Sequence, residues 1–217
     1  MTPFGLPLER LGVFAFAVAL LALTPGPVWI YLISRTLAQG RRAGYFSLIG
    51  VMAGVLVHLF AAALGLSALL LAVPGAFDAI KLAGAAYLLY LAWSTVRGAG
   101  FSFSPQPLDP VPDRVLFRQS LTASVVNPKV AVFYLSLFPQ FVDPTGGNVL
   151  LQSLVLGAVH ITVSTVIDGA LVTIAGFLSA WFVRRPGWLK MQRWFLGAAF
   201  GVLAVWLALS KPVGPSA

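Results

Sequence analysis

The chain has 217 residues, of which 59% are hydrophobic and only 9% charged, with 14 basic and 6 acidic side chains. Soluble domains carry about 25% charged residues, and a chain this short cannot hide so much apolar surface within itself, which argues against a soluble enzyme or a disordered chain. The net charge of +8 is spread between apolar runs instead of forming a basic patch, so no nucleic-acid partner is expected. There is no cysteine, hence neither a disulfide framework nor a thiolate site.

What remains is an all-α, polytopic membrane protein. A spanning helix takes about 20 mostly apolar residues. Six runs qualify, at 11–33, 43–71, 77–96, 120–141, 149–182 and 194–210. The second and fifth exceed one vertical span, which predicts tilt or loop residues at their ends. Residues 98–117, rich in proline, serine and aspartate, read as a linker. The chain is thus one transmembrane domain, 1–217, with a first half at 11–96, a cytoplasmic linker at 97–119 and a second half at 120–210.

Arg35, Arg41 and Arg42, then Arg97, Arg114 and Arg118, then Arg184, Arg185, Lys190 and Arg193 all fall on one side, against Arg10 and Lys211 on the other. The positive-inside rule puts the ten in the cytoplasm and both termini outside. A cleaved signal peptide over residues 1–24 fits less well. Its basic cluster would follow the apolar run instead of preceding it.

The halves resemble each other. Pro25 to Leu32 aligns with Pro128 to Leu135 at an offset of 103 residues, which pairs Tyr31 with Tyr134, and His58 and His160 lie 102 apart. Gly84-Ala-Ala-Tyr87 before Trp93 matches Gly197-Ala-Ala-Phe200 before Trp206. Three spans per unit make the second unit enter from the opposite face. Transporters use such inverted repeats to build two access states around a midplane site.

Two of the six spans are interrupted at equivalent places, by Thr24-Pro25-Gly26-Pro27 and by Asn127-Pro128-Lys129. Proline lacks an N–H and clashes with the carbonyl four residues earlier, so the carbonyls of Leu21, Leu23 and Ser124 should leave the helical ladder. In lipid they need another partner. The half-helix beyond each break begins with free N–H groups and a partial positive charge. Each break therefore offers acceptors for a cation and donors for an anion, as a zwitterion requires. A plain proline kink is the alternative for either break taken alone.

Lys129 lies about nine residues into its span, about 13 Å of helical rise. A lysine at that depth costs about 3 kcal/mol or more unless it faces a polar interior. Ser124, Asn127 and Tyr134 share its helix by spacing. These residues, with Thr24, Pro25, Gly26, Pro27, Tyr31 and Pro128, form the expected substrate site. His160, Ser164 and Asp168 fall at i, i+4 and i+8 on one face, and Asp168 is the one carboxylate deep within a span. Intramembrane acids mark ion or proton pathways, so Asp168, His160 and Lys81 are the expected proton-coupling groups. Lys81 could instead pair with Asp78 one turn away, and Asp168 with either lysine as a structural ion pair. His58 reads as a packing hydrogen-bonder. Gly50-x-x-x-Gly54 and Gly197-x-x-x-Gly201 are faces for close helix contact, within the chain or between protomers.

Together, Thr24-Pro-Gly-Pro27, the glycine-spaced second span, Lys81-x-x-Gly-Ala-Ala-Tyr-Leu88, Asn127-Pro-Lys129 and Phe138-Pro-Gln-Phe141 resemble the lysine exporter / RhtB family of bacterial amino-acid exporters. The resemblance covers almost the whole chain. Asn-Pro-Lys with its downstream Pro-Gln-Phe is its most specific part. It implies a small plasma-membrane protein that expels amino acids or close derivatives on the proton gradient and is often a homodimer.

The expectation is therefore a secondary active exporter of an amino acid or related zwitterion, working by proton antiport, with no cofactor and no resident metal. The chain has no Walker-type phosphate loop. A divalent-cation exporter would want several carboxylates near the midplane, where only Asp168 is available. A membrane-embedded enzyme would want a paired acid and base or a metal cluster, and no ligand spacing supports one. Export of another small solute, or lipid flipping by the same fold, stays open.

Overall fold

The computed structural model describes residues 6–72, 108–143, 146–184 and 186–209, together with ten positions between 82 and 97. Lys81 and Asp78 lie outside the described residues.

Helix α1 runs over Leu8–Leu23 and stops at Thr24, whose hydroxyl donates to the Leu20 carbonyl at 2.7 Å. Pro25 lacks the N–H that would prolong the ladder. Pro27 opens α2, Pro27–Ala72, occupying the first helical position, where a missing N–H costs nothing. The expected first span at 11–33 is thus two helices, with α2 continuing past residue 33. It turns at Gly40, whose φ of 83° lies in the left-handed region that glycine enters without a Cβ penalty.

Helix α3, Asp113–Val125, begins seven residues before the expected start of the fourth run at Ser120, so its first two turns belong to the sequence read as linker. Pro112 before it is extended, and Asp113 places a carboxylate in its first turn, where the helix dipole favours a negative charge. Arg42 of α2 pairs with that carboxylate at 2.7 Å. A short α4, Pro128–Val132, follows the second break and passes into a π-turn, Phe133–Leu137, and a 3₁₀-turn, Phe138–Phe141. The arms before and after this break meet at 49°. Helices α5, Val149–Arg184, and α6, Pro186–Leu209, complete the chain. The described positions from 82 to 97 are also helical.

Among the described residues, Pro27–Gly65 and Val149–Ala175 are each long and apolar enough to cross a membrane, and the bent pair around Pro128 makes a third candidate span. Large apolar side chains such as Phe60, Leu64, Val166, Phe177 and Val202 point outward, which lipid accepts and water would not. The protein is a multi-pass membrane protein.

The two halves interpenetrate. Phe14 of α1 packs edge-on against Phe138 and Phe141 and tilted against Phe133, with ring centroids 5.0–5.9 Å apart. Trp29, Leu32 and Ile33 of α2 share a second cluster with Leu171, Val172 and Ala175 of α5. Gly50 and Gly54 turn their bare faces to α3. A Cβ on Gly54 would stand 2.5 Å from the Cβ of Ser124, and one on Gly50 would meet the Phe117 carbonyl at 2.5 Å. That glycine pair therefore serves contact within the chain. Gly197 likewise backs onto Ala92 and Val96, whereas Gly201 meets open space.

Candidate functional site

The two breaks face each other. Lys129, at the start of α4, sends its ammonium across the protein to the first break, where Nζ donates to the carbonyl of Leu21 at 2.7 Å and to that of Thr24 at 2.8 Å. Leu21 is four residues before Pro25, so its carbonyl is the one proline displaces from the ladder. Lys129 is held in aim from behind, since its own N–H donates to Oδ1 of Asn127 at 3.0 Å. The Trp29 indole N–H spans the first break and donates to Ala22 at 2.7 Å. At the second break, the Ser124 carbonyl faces Nε2 of His58 at 3.3 Å. Side chains thus reach the carbonyls of Leu21 and Ser124, two of the three expected to be free, and each also accepts a backbone N–H three residues on, from Thr24 at 3.3 Å and from Asn127 at 3.2 Å.

Beside Lys129 lies a cavity of about 40 Å³. A water needs about 10–15 Å³ of such space, so the cavity holds a few waters and no amino acid. Its polar wall comprises Ser124, Asn127, Lys129, His160, Ser164 and Asp168, and its apolar wall includes Val28, Trp29, Val51, Met52 and Val55. Gly26 closes one side, and a Cβ there would sit 3.5 Å from the Lys129 ammonium. Ser124 Oγ, His160 Nδ1 and Asp168 Oδ1 are buried without a protein hydrogen-bond partner. Each orphaned group of that kind costs about 1–3 kcal/mol, and three of them line this one cavity. No direct ion pair joins Lys129 and Asp168. Both side chains line the same cavity without direct contact.

Tyr134, on the π-turn, stands behind this wall. Its ring is stacked between His160, at 5.2 Å and 8°, and His58, at 6.0 Å and 12°. Its hydroxyl is buried without a protein partner. The extra residue of a π-turn shifts side chains out of α-helical register and is frequent at functional sites.

The structure brings together Gly26, Ser124, Asn127, Lys129, His160 and Asp168 from the residues expected by sequence, with the carbonyl of Thr24 in contact with Lys129. Pro25, Pro27 and Pro128 shape the breaks without lining the cavity. Tyr31 goes elsewhere. Its hydroxyl has the Leu116 carbonyl at 3.2 Å and Oε1 of Gln119 at 3.3 Å as alternative acceptors for its one proton, beside Arg35, which bonds Asp109, Gln39 and Gln119. Its register partner Tyr134 is buried by contrast. Helix α2 opens at Pro27, two residues past the position that aligns with Pro128 at the start of α4, so the two tyrosines sit at different turns of their half-helices. Trp29 and the α2 residues Val51, Met52 and Val55 were not foreseen. Trp29 could have been found as the first aromatic after the Pro-Gly-Pro break.

Two broken helices thus face each other across a small, partly polar cavity in an otherwise apolar helical bundle, an arrangement that suits a membrane transporter. Residues 19–211 match the model of the LysE type translocator family, and the chain belongs to that family, whose members are transporters and not enzymes. It is 34% identical over 199 residues to an uncharacterized membrane protein of Pseudomonas aeruginosa, covering 89% of each chain. It is 32% identical to the homoserine/homoserine lactone efflux protein of Salmonella typhimurium, covering 88% of this chain and 92% of the relative. With the leucine efflux protein of an Enterobacter species it shares 28% identity over 87% of this chain and 90% of the relative. No solved structure matches it significantly.

Proposed function

We propose that this protein is a plasma-membrane secondary exporter of an amino acid or a closely related small ammonium compound, driven by proton antiport. The observation that carries the reading is the cavity itself, in which the carbonyls of one broken helix, the ammonium of Lys129 and the carboxyl of Asp168 meet. A zwitterion needs both an acceptor end and a donor end, and the wall supplies them. Relatives named for homoserine, homoserine lactone and leucine efflux support the cargo class. Those three compounds have a primary ammonium in common, while the lactone lacks a free carboxylate.

In this reading Thr24, Pro25, Gly26, Pro27, Ser124, Asn127, Pro128 and Lys129 build the cargo site, with Tyr134 behind its wall; Tyr31, expected there from the sequence, stands apart beside Gln119. Asp168 carries the coupling proton, supported by His160 and, on the sequence argument, by Lys81. The three-span repeat alternates access between the two faces, with both termini outside and the linker in the cytoplasm. A homodimer is the assembly that the family resemblance suggests. A divalent-cation cargo is disfavoured because no group of three acidic or histidine side chains able to hold a metal occurs among the described residues.

The test is a retention screen. A sensitive host expressing the protein is challenged with amino acids, their esters and lactones, and toxic analogues, and intracellular levels are measured. Lower retention of at least one primary-ammonium compound is expected. Unchanged retention across the panel, with the protein verified in the membrane, removes the amino-acid reading.

A further inference from the structure

We infer that Lys129 occupies the seat of the cargo's own ammonium group, and that cargo loads by displacing it. The inference rests on the export reading above and specifies what the site recognises. The Leu21 and Thr24 carbonyls, 2.7 and 2.8 Å from Nζ, are a pair of acceptors exposed by the Pro25 break. Such a pair is an ammonium seat whatever molecule supplies the ammonium. In this structure the protein supplies it from a residue 108 positions away from Leu21.

Three features make the seat exchangeable. The cavity abuts it and is too small for cargo while Lys129 is in place. Gly26 leaves the cavity wall bare beside the ammonium, where a side chain would stand against Nζ and Cε at 3.5 and 3.8 Å. The lysine also has a second destination, since Asp168 Oδ1 is buried, without a partner, on the same cavity. The titratable groups around that destination are Lys129 from α4 and His160 from α5, with Tyr134 and His58 stacked behind. α1 and the break after it contribute only apolar groups and backbone to the cavity wall.

The exchange is balanced in charge. One ammonium leaves the carbonyls as another arrives, and the displaced Lys129 meets either Asp168 or the carboxylate of the cargo. A compound without a carboxylate can therefore load by the same step, whereas an N-acylated amino acid, which has no ammonium, cannot. Lys129 is on this account a positioning and selectivity residue, and it sets the requirement for a free amine.

The experiment uses the purified full-length protein in detergent. Lys129→Ala removes a propylammonium-shaped piece, so n-propylammonium is the probe. Thermal unfolding is followed against its concentration at constant ionic strength, with tetramethylammonium, which has no N–H to donate, as control. A ligand that binds only the folded state raises the unfolding midpoint in a saturable way. The expected result is a saturable rise of several degrees for Lys129→Ala with propylammonium, none with tetramethylammonium, and a much weaker response in the wild type, whose seat is filled. Should Lys129→Ala not fold, Lys129→Met keeps the stem through its ε carbon and is tested with the ammonium ion itself. An absent rise in the folded variant, or an equal rise in the wild type, overturns the seat assignment. The retention screen is scored separately. Export of amines with no seat binding defeats this inference alone, while seat binding with no exported amine defeats the export reading alone.

Discussion

The ammonium of Lys129 lies 2.7 Å from the carbonyl oxygen of Leu21, so the charged residue of one break fills the backbone gap of the other. Neither half of the chain satisfies its own interruption with this group. The contact makes the two halves one site.

Lys129→Ala removes two hydrogen bonds from a charged donor, each of a type worth about 1.5–3 kcal/mol. Export measured in vesicles, normalised to folded protein, should fall by about tenfold or more. Lys129→Arg should fail to restore it, because a planar guanidinium fork does not sit in a seat shaped for a compact ammonium. Wild-type flux in both variants would remove Lys129 from the site.

Asp168→Asn keeps the shape of the side chain and cannot ionise. If Asp168 carries the coupling proton, the variant folds, exchanges labelled cargo across the membrane, and fails to export uphill on an imposed pH gradient. Flux in reconstituted vesicles with and without the gradient decides the matter. A well-folded variant that still concentrates cargo on the gradient excludes the coupling role.

Tyr134→Phe deletes a buried hydroxyl that has no protein partner and keeps the ring stacked between the histidines. Removing an unsatisfied buried polar group stabilises by about 1–3 kcal/mol, so the unfolding midpoint in detergent should stay level or rise. Export should fall, since the hydroxyl has no structural bond to account for its presence behind the cavity wall. A lower midpoint would instead reveal a structural bond through water.

Asp109→Cys places a single thiol in a chain that has none, at an exposed position before α3. It should react with an impermeant maleimide only after the cells are opened. Labelling of intact cells from outside would reverse the proposed orientation.

The two breaks, and which carbonyls they disturb, were legible because proline chemistry is local. Pro25 acts on Leu21 and Pro128 on Ser124, whatever the tertiary fold. The shared face of His160, Ser164 and Asp168 was equally legible, because helical spacing alone brings i, i+4 and i+8 to one wall. The partner of each freed carbonyl was not. That Leu21 meets Lys129, and Ser124 meets His58, depends on how the halves pack, and no spacing encodes it. Tyr31 marks the same limit. A register match paired it with Tyr134, yet one lies by Gln119 and the other between two histidines, because the helix after the first break opens at Pro27, two residues later than the register with Pro128 implies.

The glycine seam has a mechanical corollary. Gly50 and Gly54 let α2 and α3 touch so closely that added bulk would strike Phe117, Leu121 and Ser124, which leaves this pair of rods no room to slide. One end of the pair is pinned by Arg42 to Asp113, and the other ends at Ser124, whose carbonyl faces His58. The pair is therefore a close-packed support, and Asn127 and Lys129 are carried three and five residues beyond its last rung, across the 49° break.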